Sequence, residues 1–204
     1  IESDGSGFEI LHHFDQNTSG FYPHAAPVLL DGKLYGGTYH GGTSLYAGIL
    51  YQFTLPAGPI EVIHNFEREI GRHPTGELTP VGDWLYGTAS DLFQHEGGYH
   101  GSLYRIHSES HAFELLHAFN GTTDGGHPYD ALYYDGNDSL YGTAFGKAFD
   151  PTSKGTLYSY SISNDTFTVI HDFGDNPGTG SKPNGSFIRI GDDEMLYAVA
   201  HGSN

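Results

Sequence analysis

Two histidines, His73 and His127, each stand directly before a proline, and Tyr22 and Lys182 hold the same place before Pro23 and Pro183. Just past those prolines come His24, Thr75, Tyr129 and Asn184, and two residues further Ala26, Glu77, Ala131 and Ser186; Asp130 follows Tyr129. Imidazole, phenol, carboxylate and amide groups recurring at one offset suit a site for a small polar ligand such as a sugar. The aromatic rings would offer their faces and the polar groups would fix orientation. Tyr22, His24, His73, Glu77, His127, Tyr129, Asp130 and Lys182 are therefore the candidate ligand-binding residues. Glu77 and Asp130 also supply the residue types of the carboxylate pair that glycoside hydrolysis requires at a set separation.

Other chemistries find little support. The chain has no HExxH, no EF-hand ladder, no GxSxG, and no phosphate-loop or dinucleotide fingerprint. Asp135-Gly136-Asn137-Asp138 is rich in oxygen ligands, but a β-turn accounts for it. With no cysteine there is no thiol nucleophile, disulfide framework or zinc–thiolate site. No catalytic residue, metal site or cofactor is assigned. Four of the 14 histidines, His12, His64, His117 and His171, recur inside apolar-apolar-His-x-Phe segments. A group present at one place in every copy serves the copy, so these are read as half-buried structural donors. Alternation would put Phe8, Ile10, His12 and Phe14 on one strand face, and likewise Ile60, Val62, His64 and Phe66, or Phe113, Leu115, His117 and Phe119.

The elements that must position these groups are repeats. A Gly-x-x-Pro element recurs at Gly20/Pro23, Gly71/Pro74, Gly125/Pro128 and Gly180/Pro183, and a Leu-Tyr pair at Tyr35, Tyr86, Tyr141 and Tyr197. A Gly-x-Leu-Tyr segment appears at Gly48–Tyr51, Gly101–Tyr104 and Gly155–Tyr158, and equivalent positions lie 51 to 56 residues apart. Within a copy the apolar period is two, so the segments are strands. The third copy predicts strands at Ala131–Tyr134, Leu140–Phe145, Thr156–Tyr160 and Thr166–Phe173. Four short antiparallel strands repeated four times predict an all-β, four-bladed β-propeller of ~50-residue repeats, forming one domain over residues 1–204. With the Pro-led strand innermost, the candidate residues would ring one mouth of the central channel.

The segment Leu115–Ala144, LLHAFNGTTDGGHPYDALYYDGNDSLYGTA, closely resembles the Gloeo/Verruco (GloVer) tandem repeat. That repeat likewise runs from a V-L-x-x-F strand through a Gly/Asp-rich loop and a Pro to an L-Y-G-T-T strand, and the resemblance extends over essentially the whole chain. It implies a propeller repeat, found mainly in secreted or surface-anchored microbial proteins, and offers no catalytic set to carry over. The fourth Leu-Tyr segment, MLYAVAHG, departs from the pattern with Ala-Val in place of Gly-Thr.

Closure is the weak point of the ring. The last blade would begin at Pro183, with strands over 183–200, and the N-terminal strand 8–14 would close it. No Gly-x-Leu-Tyr third strand follows Pro183, so the closing blade is expected to be one strand short, and an unpaired edge is a template for another chain. A formal charge of −17 argues against nucleic acid, and no apolar run approaches the ~20 residues of a membrane span. Five N-x-[ST] sequons, at Asn17, Asn120, Asn137, Asn164 and Asn184, exceed the about one expected by chance and are glycosylation candidates, although the same tripeptides make good turns. With an N-terminal Ile the chain reads as a processed form or a fragment. The expectation is a non-catalytic extracellular or surface module for binding or adhesion, with a glycan or other polar ligand at the mouth or at the loops His40–Tyr46, Asp91–His100 and Phe145–Ser153. The alternatives are a structural subunit that oligomerises by strand exchange and a carbohydrate-active enzyme.

Overall fold

A computed structural model of the chain describes residues 3–44, 46–91, 100–146, 154–174, 180–189, 196–197 and 200–201. The loop segments 92–99 and 147–153 and residue 45, within the loops singled out above, lie outside the described residues. Among the described residues the fold is all-β and antiparallel, with one short 3₁₀ turn at Arg68–Ile70 and no α-helix. No helix among them is long and apolar enough to cross a membrane.

The first repeat forms β1 (Phe21–Pro23), β2 (Val28–Leu30), β3 (Lys33–His40), β4 (Ile49–Thr54) and β5 (Ile60–Asn65). β1 and β2 are two halves of one interrupted inner strand, both paired with β3, and the sheet continues outward through β4 to β5. Asp31-Gly32 closes the β2–β3 hairpin with both residues at positive φ, 48° and 78°, as a two-residue turn between right-twisted strands requires. The second repeat forms β6 (Thr79–Val81), β7 (Trp84–Ala89), β8 (Ser102–His107) and β9 (Phe113–Ala118). The third forms β10 (Tyr133–Tyr134), β11 (Ser139–Ala144), β12 (Thr156–Ser161) and β13 (Thr166–Asp172). Both are four-stranded meanders in chain order, and the inner strands β2, β6 and β10 adjoin in turn, so the sheets radiate like propeller blades.

The sheets are held face to face by a repeated aromatic unit. His64 stacks on Phe113 of the next sheet at 3.8 Å, and His117 stacks on Phe167 at 3.6 Å. Phe66 meets Tyr104 edge-on at 5.2 Å, Phe119 meets Tyr158 at 5.3 Å, and Phe14 meets Tyr51 at 5.2 Å. Hence Phe113 faces the preceding sheet while His117 faces the following one, which corrects the simple alternation expected for these strands. A bulge is the cause: Leu103 pairs with His117 and Tyr104 with Leu115, so Leu116 is extra and everything beyond it changes face. The same register shift recurs at Leu50/Tyr51 and Leu157/Tyr158.

The fourth repeat supplies β14 (Ser181–Pro183), β15 (Ile188–Arg189), β16 (Leu196–Tyr197) and β17 (Ala200–His201), paired as β14–β17 and β15–β16. This is again an interrupted inner strand against a second strand. Phe8–Phe14 lies in no strand. It turns back through Asp15, whose N–H bonds the Ser19 hydroxyl, and rests on the first sheet through Phe14. A third strand to join it to β16 and β17 is absent among the described residues.

Candidate functional site

The mouth begins with the backbone of the Gly-x-x-Pro element. Tyr22, His73, His127 and Lys182 all sit at positive φ, between 53° and 61°, an uncommon conformation for a side-chain-bearing residue. The reason is an inter-sheet latch. The amides of His73, His127 and Lys182 donate to the carbonyls of Ala47, His100 and Lys154, at 2.7, 2.6 and 2.5 Å, each the residue before a third-strand glycine. The His73 and His127 rings reach back as well: Nδ1 donates to the Tyr39 carbonyl at 2.8 Å and to the Ser90 carbonyl at 2.6 Å. A carbonyl only accepts, so these contacts place the proton on Nδ1.

His73 and His127 are fully buried, and burial pushes their imidazoles down, His73 to about 4. Tyr22 points outward among Phe21 and His40, 66% exposed. Lys182 lays its ammonium over the Phe145 ring at 5.3 Å. Four of the eight candidates therefore build the latch or its rim and do not line the mouth.

The residues after the prolines do converge. His24, Thr75, Tyr129 and Asn184 line one open cavity of about 530 Å³, together with Ala26, Glu77, Ala131 and Ser186, so all four repeats contribute at both offsets. Asp130 and Phe145 complete the polar and aromatic wall, with Tyr129 and Phe145 edge-to-face at 5.8 Å. Phe145 opens the candidate loop Phe145–Ser153 and reaches the mouth because it directly follows Ala144, the last residue of β11.

The wall is pre-organised. The Thr75 hydroxyl donates to the Tyr129 carbonyl at 3.1 Å, and the Thr88 hydroxyl to the Asp130 carbonyl at 3.2 Å. The Gly185 amide donates to Asp130 Oδ2 at 2.5 Å, tying the third repeat to the fourth. Burial raises the Asp130 carboxyl against the opposing effect of that amide, while Glu77 stays exposed. Burial pushes the Tyr129 phenol up to about 12, so it remains a neutral donor. The arrangement offers two aromatic rings, two carboxylates, an imidazole, an amide and three hydroxyls, the Tyr129 phenol among them, around a space large enough for a sugar. Among the described residues no group of three His, Asp or Glu is placed to hold a metal ion.

The sequons fall in two environments. Asn17, Asn120, Asn137 and Asn164 are exposed on turns, with Asn120 Nδ2 donating to Thr123 Oγ1 and Asn164 Nδ2 to Ser161 Oγ. Asn184 is exposed inside the mouth.

The chain belongs to the Gloeobacter/Verrucomicrobia repeat family, whose model matches residues 1–204. No curated protein matches it in sequence. Among solved structures it is similar to TolB from Acinetobacter baumannii, with a TM-score of 0.49 and 17% identity over 87% of this chain and 39% of that one. It is also similar to a putative TolB from Agrobacterium tumefaciens (TM-score 0.47, 14% identity, 78% and 51%) and to the tricorn protease (0.45, 14%, 71% and 12%). The chain spans less than two thirds of the length of each of these structures.

Proposed function

We propose that this member of the Gloeobacter/Verrucomicrobia repeat family is a non-catalytic propeller module of four radial repeats, displayed outside the cell, that binds a glycan or similar polar ligand at its central mouth. One observation carries the reading: equivalent positions of all four repeats, His24, Thr75, Tyr129 and Asn184, meet in one cavity. Their side chains differ from copy to copy, which a purely structural position would not need. An acidic, lysine-poor surface and five sequons favour the extracellular setting. A panel of soluble oligosaccharides titrated calorimetrically against the chain tests it. Saturable binding that weakens in Tyr129→Ala supports the reading; binding indifferent to both Tyr129→Ala and Asp130→Asn moves the site elsewhere.

A second reading, a carbohydrate-active enzyme, draws on the unequal surroundings of Glu77 and Asp130 in the same cavity. Turnover of a chromogenic glycoside that is lost in both Glu77→Gln and Asp130→Asn would favour it over binding alone.

A further inference from the structure

The chain contains two Asn-Gly dipeptides, Asn120-Gly121 and Asn184-Gly185, and the fold treats them in opposite ways. A glycine after asparagine leaves its backbone nitrogen unshielded, because no Cβ stands beside it. That nitrogen is a nucleophile that can close on the asparagine side chain. Closure needs a free side-chain amide and a base for the N–H proton. Asn120 has neither. Its Oδ1 accepts from the Thr122 amide at 2.8 Å, the Thr123 amide at 3.0 Å and the Thr122 hydroxyl at 2.8 Å. Its Nδ2 donates to Thr123 Oγ1 at 2.9 Å. The Gly121 amide donates to the Gly125 carbonyl at 2.8 Å, and a peptide carbonyl is a very weak base. Gly121 is also buried against the His100 ring.

Asn184 has both. It is exposed at the mouth, in the break between β14 and β15, and its side chain makes no hydrogen bond among the described residues. The Gly185 amide donates to Asp130 Oδ2 at 2.5 Å, within reach of proton transfer. Asp130 comes from the third repeat and Gly185 from the fourth, so it is the fold that brings this carboxylate to this amide. Burial raises the Asp130 carboxyl despite the opposing effect of the amide, and a raised carboxyl makes a stronger base.

We propose that Asn184 is a self-modification site, at which Asp130 acts as general base for deamidation by the Gly185 nitrogen. Asp130 Oδ2 takes the Gly185 N–H proton as the nitrogen attacks Asn184 Cγ, and the new N–Cγ bond closes a succinimide ring. Collapse breaks the Cγ–Nδ2 bond, and the proton held by Asp130 leaves with that nitrogen as ammonia. Water then opens the ring at either carbonyl, giving aspartate or isoaspartate at 184. Nothing is oxidised or reduced, and water is the only co-reactant. The product adds a third carboxylate to Glu77 and Asp130 in the mouth, so a neutral amide becomes an anion as the chain ages. This chemistry is independent of which ligand the mouth takes.

The test is incubation of the full 204-residue chain at neutral pH, made in a host that does not glycosylate it. Peptide mass spectrometry follows aspartate and isoaspartate at 184 and at 120 in the same sample. Conversion at 184 should be about tenfold or more faster than at 120. Asp130→Asn keeps an oxygen on the Gly185 amide but removes the base, and should slow conversion at 184 by about tenfold or more. In urea, which separates Asp130 from Gly185, the two sites should convert at like rates. Equal conversion at both sites of the folded chain overturns the proposal, as does an unchanged rate at 184 in a cooperatively melting Asp130→Asn. Faster conversion at 184 in urea than in the folded wild type also overturns it, because the hydrogen bond would then protect the amide. That last comparison needs no variant, so it decides the matter even if Asp130→Asn does not fold.

Discussion

Gly101 and Pro128 are in direct contact across the second sheet interface: a Cβ on Gly101 would stand 2.7 Å from Pro128 Cδ and 2.5 Å from the Ala89 carbonyl oxygen. Gly48 meets Pro74 and Gly155 meets Pro183 in the same way, at 2.8 and 2.6 Å. The two most regular motifs of the chain are thus one structural unit, a third-strand glycine receiving the proline of the next repeat. The latch from the residue before that proline closes over the same spot.

Gly101→Ala should therefore destabilise the fold by about 3 kcal/mol or more, since it combines a positive φ of 99° with clashes against proline and backbone. Gly82→Ala is the control. Its φ is 58° and a Cβ would meet nothing within 4 Å, so it should cost only about 1 kcal/mol of backbone strain. Urea denaturation of both variants measures the difference; equal losses would show that the packing term is negligible.

The buried imidazoles make the fold sensitive to acid. Burial pushes His64 and His73 down to about 4, so below the ordinary value near 6.5 the unfolded chain binds protons that the folded chain refuses. Their contribution is intact at pH 7 and is lost as pH falls from about 6.5 towards 4. His64 Nε2 is buried without a partner among the described residues. In the neighbouring repeats the corresponding nitrogens bond Ser19 at 2.9 Å and Asp124 at 2.8 Å, where this repeat has Ile70. His64→Phe keeps the stack on Phe113 and removes the titration, so its Tm should fall less than the wild type's between pH 7 and 4.5.

Tyr129→Ala should weaken any ligand of the mouth by roughly tenfold, through loss of a ring face worth about 1 kcal/mol or more. Asp130→Asn retains an oxygen for the Gly185 amide, so its effect on affinity reports charge with little change in geometry. If the melting temperatures of both variants match the wild type while affinity drops, the residues act on ligand rather than on the fold.

A glycan on Asn184 would occupy the mouth itself. Material from a glycosylating host should therefore bind ligand more weakly than unglycosylated material, and Asn184→Gln should restore the affinity. Peptide mass spectrometry of the same sample reads occupancy at Asn17, Asn120, Asn137 and Asn164, and an occupied Asn184 with undiminished binding would place the ligand elsewhere.

Much of this was determined by sequence alone, because a repeat states its own register. The period of the Gly-x-x-Pro and Leu-Tyr elements set the strands of the third copy to within a residue or two at most of their ends, and the offsets past each proline named the mouth residues His24, Glu77 and Tyr129. Such positions are legible because equivalent residues in stacked sheets must be near one another. Only the tertiary structure decided the rest. His73 and His127, one residue earlier, turn away from the mouth because positive φ directs them into the preceding sheet. The bulges at Ile63, Leu116 and Ile170 exchange strand faces, which no alternation pattern reveals. Leu85 and Leu140 are fully buried because Leu50 and Leu103 reach them from the preceding sheet, and a sequence lists neighbours along the chain, whereas packing selects them across an interface.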